Sequence, residues 1–477
     1  MVLNYIAECP ICGKKTDLRI EDGSYLNEYP IRVNCMNCRA LIKGVYIMAE
    51  NSSFNGLHLD NAKFDLVMPD ERTGLIAGAD YIAEISGELP CRPIRKNNGV
   101  SYEDTVFIET TKHIAKADVM INRLSHFSED FEMWRKQRSV AFQLFEEGSF
   151  EYLPKALKKS GIQSYKVAND LQALHCMQEV VLKETRYLFT NENPYDVIKT
   201  MLLELSELDR EQLQMLISAA GGDYGLMASY QKLTDVFSNF MRLYPSLLPA
   251  EIYMHYSNMM NANVGMSTCT FSDIKEFYQD SYETIMSCVH FAVCLDNIRE
   301  RGNYYSFTEE TNKIMRRKNA DDDYHKFLLI DNGAKLGTIS CKEYLQSLLL
   351  LPPTAGLRNG IGHNNYHYDA ITQTITVFNT YKRDKVKREL SLLEMACECC
   401  DMVVSAVILS EIILFLLRNA NNTGKCISHL AFYDGVAKDD TCPCGSAKKY
   451  EECCMPTIVK KYSKRSLQVN TPKIYIF

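Results

Sequence analysis

Over most of the chain, apolar residues recur three and four positions apart, the period of a helix with one buried face. The pattern sets in at "SEDFEMWRKQRSVAFQLFEEGS", where Ser128 is the expected N-cap and Gly148 the expected stop. It runs to about Leu417, punctuated by Pro154, Pro194, Gly221–Gly222, Pro245 and Pro249. Its clearest stretches are "YQKLTDVFSNFMRLY" and "DIKEFYQDSYETIMSCVHFAVCLDNIRE". In Met402–Leu417, "MVVSAVILSEIILFLL", the apolar residues occupy every side, which predicts a helix buried all round. That run falls short of the roughly 20 residues that span a bilayer, and Ser405, Ser410 and Glu411 interrupt it, so no membrane span is expected.

Other stretches follow a different period. "DYIAEISGEL" and "DTVFIET" read as strands between Asn, Gly and Pro breaks, and "AITQTITVFN" alternates as a strand or hairpin inserted in the helical region. "RRKNADDDYHKF", at 316–327, reads as a solvated loop. After the hairpin, "SLLE" at 391–394 is a capping box that starts the long apolar helix.

With 477 residues, 46% hydrophobic and 24% charged, the chain is long enough for two to four globular domains. A formal net charge of −7 excludes a general polyanion binder, so any nucleic-acid contact needs a local basic patch. The start, "MVLNYIAECPICG", lacks a basic segment followed by an apolar run, and a cytoplasmic location is expected.

The 18 cysteines are informative by spacing rather than number. Cys9, Cys12, Cys35 and Cys38 form two C-x2-C knuckles, the arrangement that turns four thiolates onto one tetrahedral zinc ion; redox or disulfide pairing is the alternative. Four protein ligands leave no open coordination position, so such a zinc folds a domain and performs no chemistry. At the other end, "TCPCGSAKKYEECC" sets Cys442, Cys444, Cys453 and Cys454 in the pattern C-x-C-x8-C-C. This resembles the SEC-C motif, a small zinc module at the tail of the bacterial preprotein-translocase ATPase and of many other prokaryotic proteins. The resemblance implies that all four cysteines bind zinc and that the module docks a protein or nucleic-acid assembly. Ala447 stands where glycine is usual, a departure that bears on the turn more than on the metal. Cys397, Cys399 and Cys400 do not converge on one ion along a helix and read as buried thiols. Beyond Glu452 five cations, Lys460, Lys461, Lys464, Arg465 and Lys473, occur with no acid, suiting either plain solvation or an RNA-like surface.

One motif carries chemistry. "GLRNGIGHNNYH", 356–367, holds Arg358, Asn359 and His363 among three glycines, just after Pro352–Pro353. Glycines are poor helix formers, so a close approach of backbone or ligand is expected, with Thr354 capping a helix and the motif near its N-terminus. An arginine can hold phosphate oxygens bidentately, and an imidazole of ordinary pKa near 6.5 can give or take a proton at neutral pH. Together they can cleave RNA without a metal ion, and two copies of the chain would supply both an acid and a base. His367, four beyond His363, leaves a metal reading of "HNNYH" open, as it leaves a polar residue at a dimer seam.

"RNGIGH", followed by a hairpin and a long apolar helix, resembles the HEPN superfamily, whose signature is arginine, four to six residues, then histidine, often with a polar residue after the arginine. The resemblance implies a mainly α fold, a homodimer and metal-independent endoribonuclease activity of the kind used in antiphage defence (abortive infection) or toxin systems. It implies Arg358 and His363 as catalytic and Asn359 as a supporting hydrogen-bonder. The expected organisation is a zinc ribbon at 1–50, a mixed α/β connecting region at 51–126, a helical region at 127–224, a HEPN-like helical domain at 225–418, a SEC-C zinc motif at 440–457 and a basic tail at 458–477. RNA is the expected substrate and two structural zinc ions the expected cofactors. A non-catalytic zinc-bearing adaptor for a ribosome, RNA or protein partner is the alternative.

Overall fold

The computed structural model describes residues 2–22, 25–48, 56–68, 76–99, 104–106, 108–109, 117–159, 170–189, 194–257, 263–379, 385–420, 438–439, 448–453 and 455. The strands are β1 (Val2–Glu8), β2 (Lys15–Glu21), β3 (Glu28–Asn34), β4 (Leu41–Ile47), β5 (Gly56–Leu59), β6 (Lys63–Val67), β7 (Tyr81–Ile85), β8 (Arg95–Lys96), β9 (Tyr366–Asp369), β10 (Thr374–Phe378) and β11 (Val386–Ser391). The helices begin with α1 (Ala117–Met133), α2 (Ser139–Glu146), α3 (Leu153–Lys159), α4 (Asp170–Thr185), α5 (Pro194–Ser206), α6 (Arg210–Ala219) and α7 (Gly222–Tyr256). They continue with α8 (Phe271–Arg301), α9 (Glu309–Met315), α10 (Asp323–Leu328), α11 (Asn332–Ser340), α12 (Glu343–Leu348), α13 (Gly356–Gly362) and α14 (Leu392–Ala420). The fold is thus mainly α with a β region at the N-terminus.

Two compact units emerge. The first takes Met1–Ser128, Asn239–Ser281 and Thr354–Asp401; the second takes Glu129–Ser238, Tyr282–Pro353 and Met402–Phe477.

In the first unit, the strands order as β6-β1-β2-β7-β8, as β3-β4-β5 and as β11-β10-β9. Only β2 and β7 pair in parallel; the other described ladders are antiparallel. Alternation explains β3, where Tyr29, Ile31 and Val33 are buried in turn, and β10, where Ile375 and Val377 are. Aromatic rings bind the helices: Phe127 meets Tyr244 edge-on at 4.7 Å, and Phe240 lies 4.5 Å from Tyr244. The buried Glu251 carboxylate accepts from Arg123 and Tyr244, so this charge enters the core with its partners.

The second unit packs Trp134 edge-on against Phe142 and Phe237 at 5.1 and 5.4 Å. A π-helical turn, Trp134–Arg138, follows α1 and buries Arg138 beside Asp130, at 3.2 Å, and Glu184. Asp130 also accepts from Arg186 and Tyr187. A further ionic group joins Asp296 to Lys342 and Arg299, with the Arg299 guanidinium 3.5 Å from the centre of the Tyr344 ring.

Several local expectations hold. The Ser391–Glu394 capping box forms in both directions, with the Ser391 N–H donating to Glu394 and the Glu394 N–H donating to Ser391 Oγ. Gly148 stops α2 with φ of 69°, the left-handed conformation that glycine takes without strain. Helix α14 is long and apolar enough to cross a membrane, yet 94% of its most apolar window is buried within the protein.

Others change. Ser128 lies inside α1 rather than capping a helix, because Met120, Leu124 and Phe127 already form a buried stripe upstream; its hydroxyl donates to the Tyr25 carbonyl. The described residues of "DTVFIET" form no strand: the Glu109 N–H donates to the Thr105 carbonyl, four residues back, as in a helical turn. The polar stretch 316–327 enters α10, whose first turn Asp322 caps through the His325 N–H. Pro245 and Pro249 lie within α7 instead of ending it. Burial outweighs propensity there, since Tyr244, Leu247, Leu248 and Ala250 are all buried.

Burial pushes the Glu184 carboxyl up to about 7, against the pull of Arg138. Folding therefore favours the protonated acid, a contribution complete below its ordinary 4.5 and lost as pH rises through about 7. Glu184→Gln, which keeps an acceptor for Arg138, should flatten the stability–pH curve in that window. Urea denaturation across pH 4.5 to 7 checks it; an unchanged slope contradicts the assignment.

Candidate functional site

The N-terminal knuckles are built alike. Cys9 and Cys12 occupy the turn between β1 and β2, and Cys35 and Cys38 the turn between β3 and β4. In each, the first cysteine's N–H bonds to the carbonyl five residues on, Lys14 or Ala40, and its carbonyl accepts from the residue four on, Gly13 or Arg39. Those two residues carry φ of 68° and 64°, the left-handed conformation that closes the knuckle. At the first knuckle glycine takes it without strain; at the second an arginine does.

The four sulfurs lie within 4.8 Å of one another, with Cys9–Cys38 at 3.5 Å and Cys12–Cys35 at 3.6 Å. Zinc–sulfur bonds of about 2.3 Å in a tetrahedron set sulfurs about 3.8 Å apart, so the residues present fit zinc. Burial pushes the Cys35 thiol up to about 12, while bonds from Asn37 and the Lys14 backbone lower Cys12 to about 6. Among the described residues this is the one group of three or more candidate ligands, so "HNNYH" finds no third partner. His363 and His367 are both exposed.

Arg358 and Asn359 lie in α13, and His363 caps its C-terminus. The glycines do not keep "GLRNGIG" out of a helix, and their cost is met by fit. A Cβ on Gly360 would stand 2.6 Å from Val377 Cγ1 on β10, closer than real side chains come, so only glycine seats α13 on the hairpin. The N-cap is Ala355 rather than the expected Thr354, whose hydroxyl, one residue before it, accepts from the Gly356 N–H at 3.2 Å. Past the helix, the Asn365 N–H returns to the Gly360 carbonyl and the Phe378 N–H donates to Asn365.

Arg358 is half-buried and donates from Nη1 to Asn359 Oδ1 at 3.3 Å. At about 100° per residue, Arg358 and His363 stand roughly 140° apart around the axis, whereas Asn359 and His363 share a side. The helix N-terminus and His363 therefore lie at opposite ends of α13, and a phosphate on the terminal N–H groups would not reach the imidazole. The hairpin is held in turn by α8, where Phe271 lies 5.0 Å from the Tyr366 ring and stacks on Tyr368 at 5.3 Å. Gln373 spans Met266, accepting from its N–H and donating to its carbonyl. In the same unit Arg39, from the second knuckle, pairs with Asp369 of β9 at 3.1 Å. Sequence spacing showed the knuckles but not that one of them touches the hairpin beside the motif.

At the C-terminus, Cys442, Cys444 and Cys454 lie outside the described residues, as do the cations of the tail. Cys453 is described, half-buried after the short turn Tyr450–Glu452. Residues 440–456 match the SEC-C motif family. No curated protein and no solved structure matches the chain.

Two outcomes follow. Gly360→Ala should cost about 1–3 kcal/mol through overpacking, and adding Val377→Ala should restore most of it, as read by denaturant melts. Wild-type protein should carry two zinc ions by elemental analysis, and Cys35→Ser should lose one of them along with part of its thermal stability.

Proposed function

We propose that the chain is a metal-independent endoribonuclease of the HEPN type, working as a homodimer in bacterial antiphage defence or a toxin system. The observation that carries this reading is α13 itself, which holds a half-buried guanidinium tied to Asn359 and ends in an exposed imidazole. The spread of about 140° between Arg358 and His363 favours a composite centre, in which two copies each bring one arginine and one histidine to a shared RNA strand.

The chemistry is an intramolecular transesterification that needs no other reactant. A ribose 2′-oxygen attacks the adjacent phosphorus, its bond forming as the bond to the 5′-oxygen breaks. One imidazole accepts the 2′-hydroxyl proton and the other, protonated, donates to the leaving 5′-oxygen. The arginines stabilise the charge that gathers on the phosphoryl oxygens. The products are a 2′,3′-cyclic phosphate and a 5′-hydroxyl end. On this view the Cys9–Cys38 cluster and the SEC-C module select RNA, ribosome or protein partners and take no part in bond cleavage. The SEC-C match and the cysteine cluster favour, as a second reading, an adaptor that binds such partners and cuts nothing.

His363→Ala should abolish RNA cleavage, by at least a hundredfold, with the melting temperature and dimer unchanged, while brief EDTA treatment leaves the wild type active. Mapping of 5′-hydroxyl RNA ends in cells expressing each form decides it. Equal end profiles for wild type and His363→Ala would leave the adaptor reading standing.

A further inference from the structure

Gly362 behaves unlike its neighbour Gly360. Its φ is not in the left-handed region, and it lies in a helix, where glycine is a poorer choice than alanine. No backbone or rigid side chain demands it: an added Cβ would meet Gln279 Nε2 at 3.4 Å and Arg358 Nη1 at 3.7 Å, the far ends of two flexible side chains. Gly362 is exposed, so the space opens to solvent. The position lies one turn after Arg358 on the same face, and His363 follows it directly. The missing methyl thus leaves a notch floored by Gly362 and walled by an amide from α8 and a guanidinium from α13.

We propose that this notch binds a non-bridging oxygen of an RNA phosphodiester, with Gln279 as a substrate-binding residue that the Arg–His motif does not contain. Gln279 Nε2 and Arg358 Nη1 lie 3.4 and 3.7 Å from the point where a Cβ would project, so an oxygen resting against the bare Gly362 Cα at van der Waals distance has both donors beside it, and their flexible ends can turn to it. Arg358 supplies the charge there, held in place by Asn359. Gln279 supplies a neutral donor, so the notch takes an anion without adding a second like charge beside the guanidinium. The bound phosphate would lie next to His363 in the chain. The inference rests on the ribonuclease reading for its ligand, but it concerns binding and can be measured without cleavage.

The test uses full-length protein and a single-stranded 2′-O-methyl oligoribonucleotide, which cannot be cut, followed by fluorescence anisotropy at fixed salt. Gly362→Ala should keep or raise the melting temperature, keep the dimer by sedimentation, and weaken binding about tenfold. Gln279→Ala should weaken it several-fold and Gln279→Glu further, by placing a carboxylate against the phosphate. If Gly362→Ala and Gln279→Ala both bind as wild type does, or if the wild type binds no oligonucleotide, the notch is not a phosphate site. Loss of the dimer in Gly362→Ala would overturn it too, making the bare face a contact between copies. The outcomes separate from the ribonuclease reading: cleavage by wild type with unaltered binding in the variants sinks the notch alone. Weakened binding in the variants, with no cleavage by wild type, sinks the enzyme alone.

Discussion

Gly360 rests on Val377 with no room for a methyl between them, and the candidate site is organised around that contact. It sets how closely α13 approaches β10, and the bonds through Asn365 to Gly360 and Phe378 hold the chain as it leaves the helix. Arg358 and His363 are then placed by a seven-residue helix that could not persist alone, since isolated helices that short are marginal in water. Rigidity comes from the hairpin, and the hairpin takes it from α8 through Phe271 and from the Met266–Gln373 pair of bonds. The two glycines differ in kind. One is required by packing, while the other leaves a space.

The same unit gives the cysteine cluster a structural consequence. The β3 residue Arg32 donates its N–H to Ser267, next to the Met266 that Gln373 grips, and Arg39 reaches Asp369. Ordering of the knuckles is therefore coupled to ordering of the hairpin through backbone and side-chain bonds, although no cysteine lies in the motif. The exposed Arg39–Asp369 pair contributes little energy by itself, with its partners 58% and 25% exposed. The buried backbone bond at Ser267 is the firmer of the two links. A metal in the cluster would thus support the site from outside it, in keeping with four thiolates that close the coordination sphere.

What could be read in the sequence was what depends on local spacing. The C-x2-C knuckles, the alternation in "TITVF", the Ser391–Glu394 capping box and the all-round apolar run of α14 each involve residues a few positions apart, and each is found. A helix after Pro352–Pro353 was expected, but the reason for its Gly360 was hidden, because the contact that requires it, Val377, lies 17 residues away and is paired in another element. The start of α1 was hidden for a similar reason: its buried stripe of Met120, Leu124 and Phe127 packs through Phe127 against Tyr244, more than a hundred positions on. Gln279 carries no signal in the chain at all. It is one polar residue on a helix, and only the fold brings it to Gly362.

If the chain cleaves RNA as proposed, the geometry of α13 also bears on why one copy would not suffice. A histidine that shares a side with Asn359 and an arginine that shares a side with Gly362 face different neighbours, however the flexible guanidinium is turned. In-line displacement needs a base near the 2′-oxygen and an acid near the 5′-oxygen, on opposite sides of one phosphorus. A single exposed imidazole at a helix end can stand on one of those sides only. A two-fold axis beside α13 would bring a second imidazole to the other side and a second guanidinium to the phosphoryl oxygens, with no new residue required. On that proposal the strictness of the Gly360 seat has a chemical reason, because two half-sites would meet correctly only if each helix is held in one position.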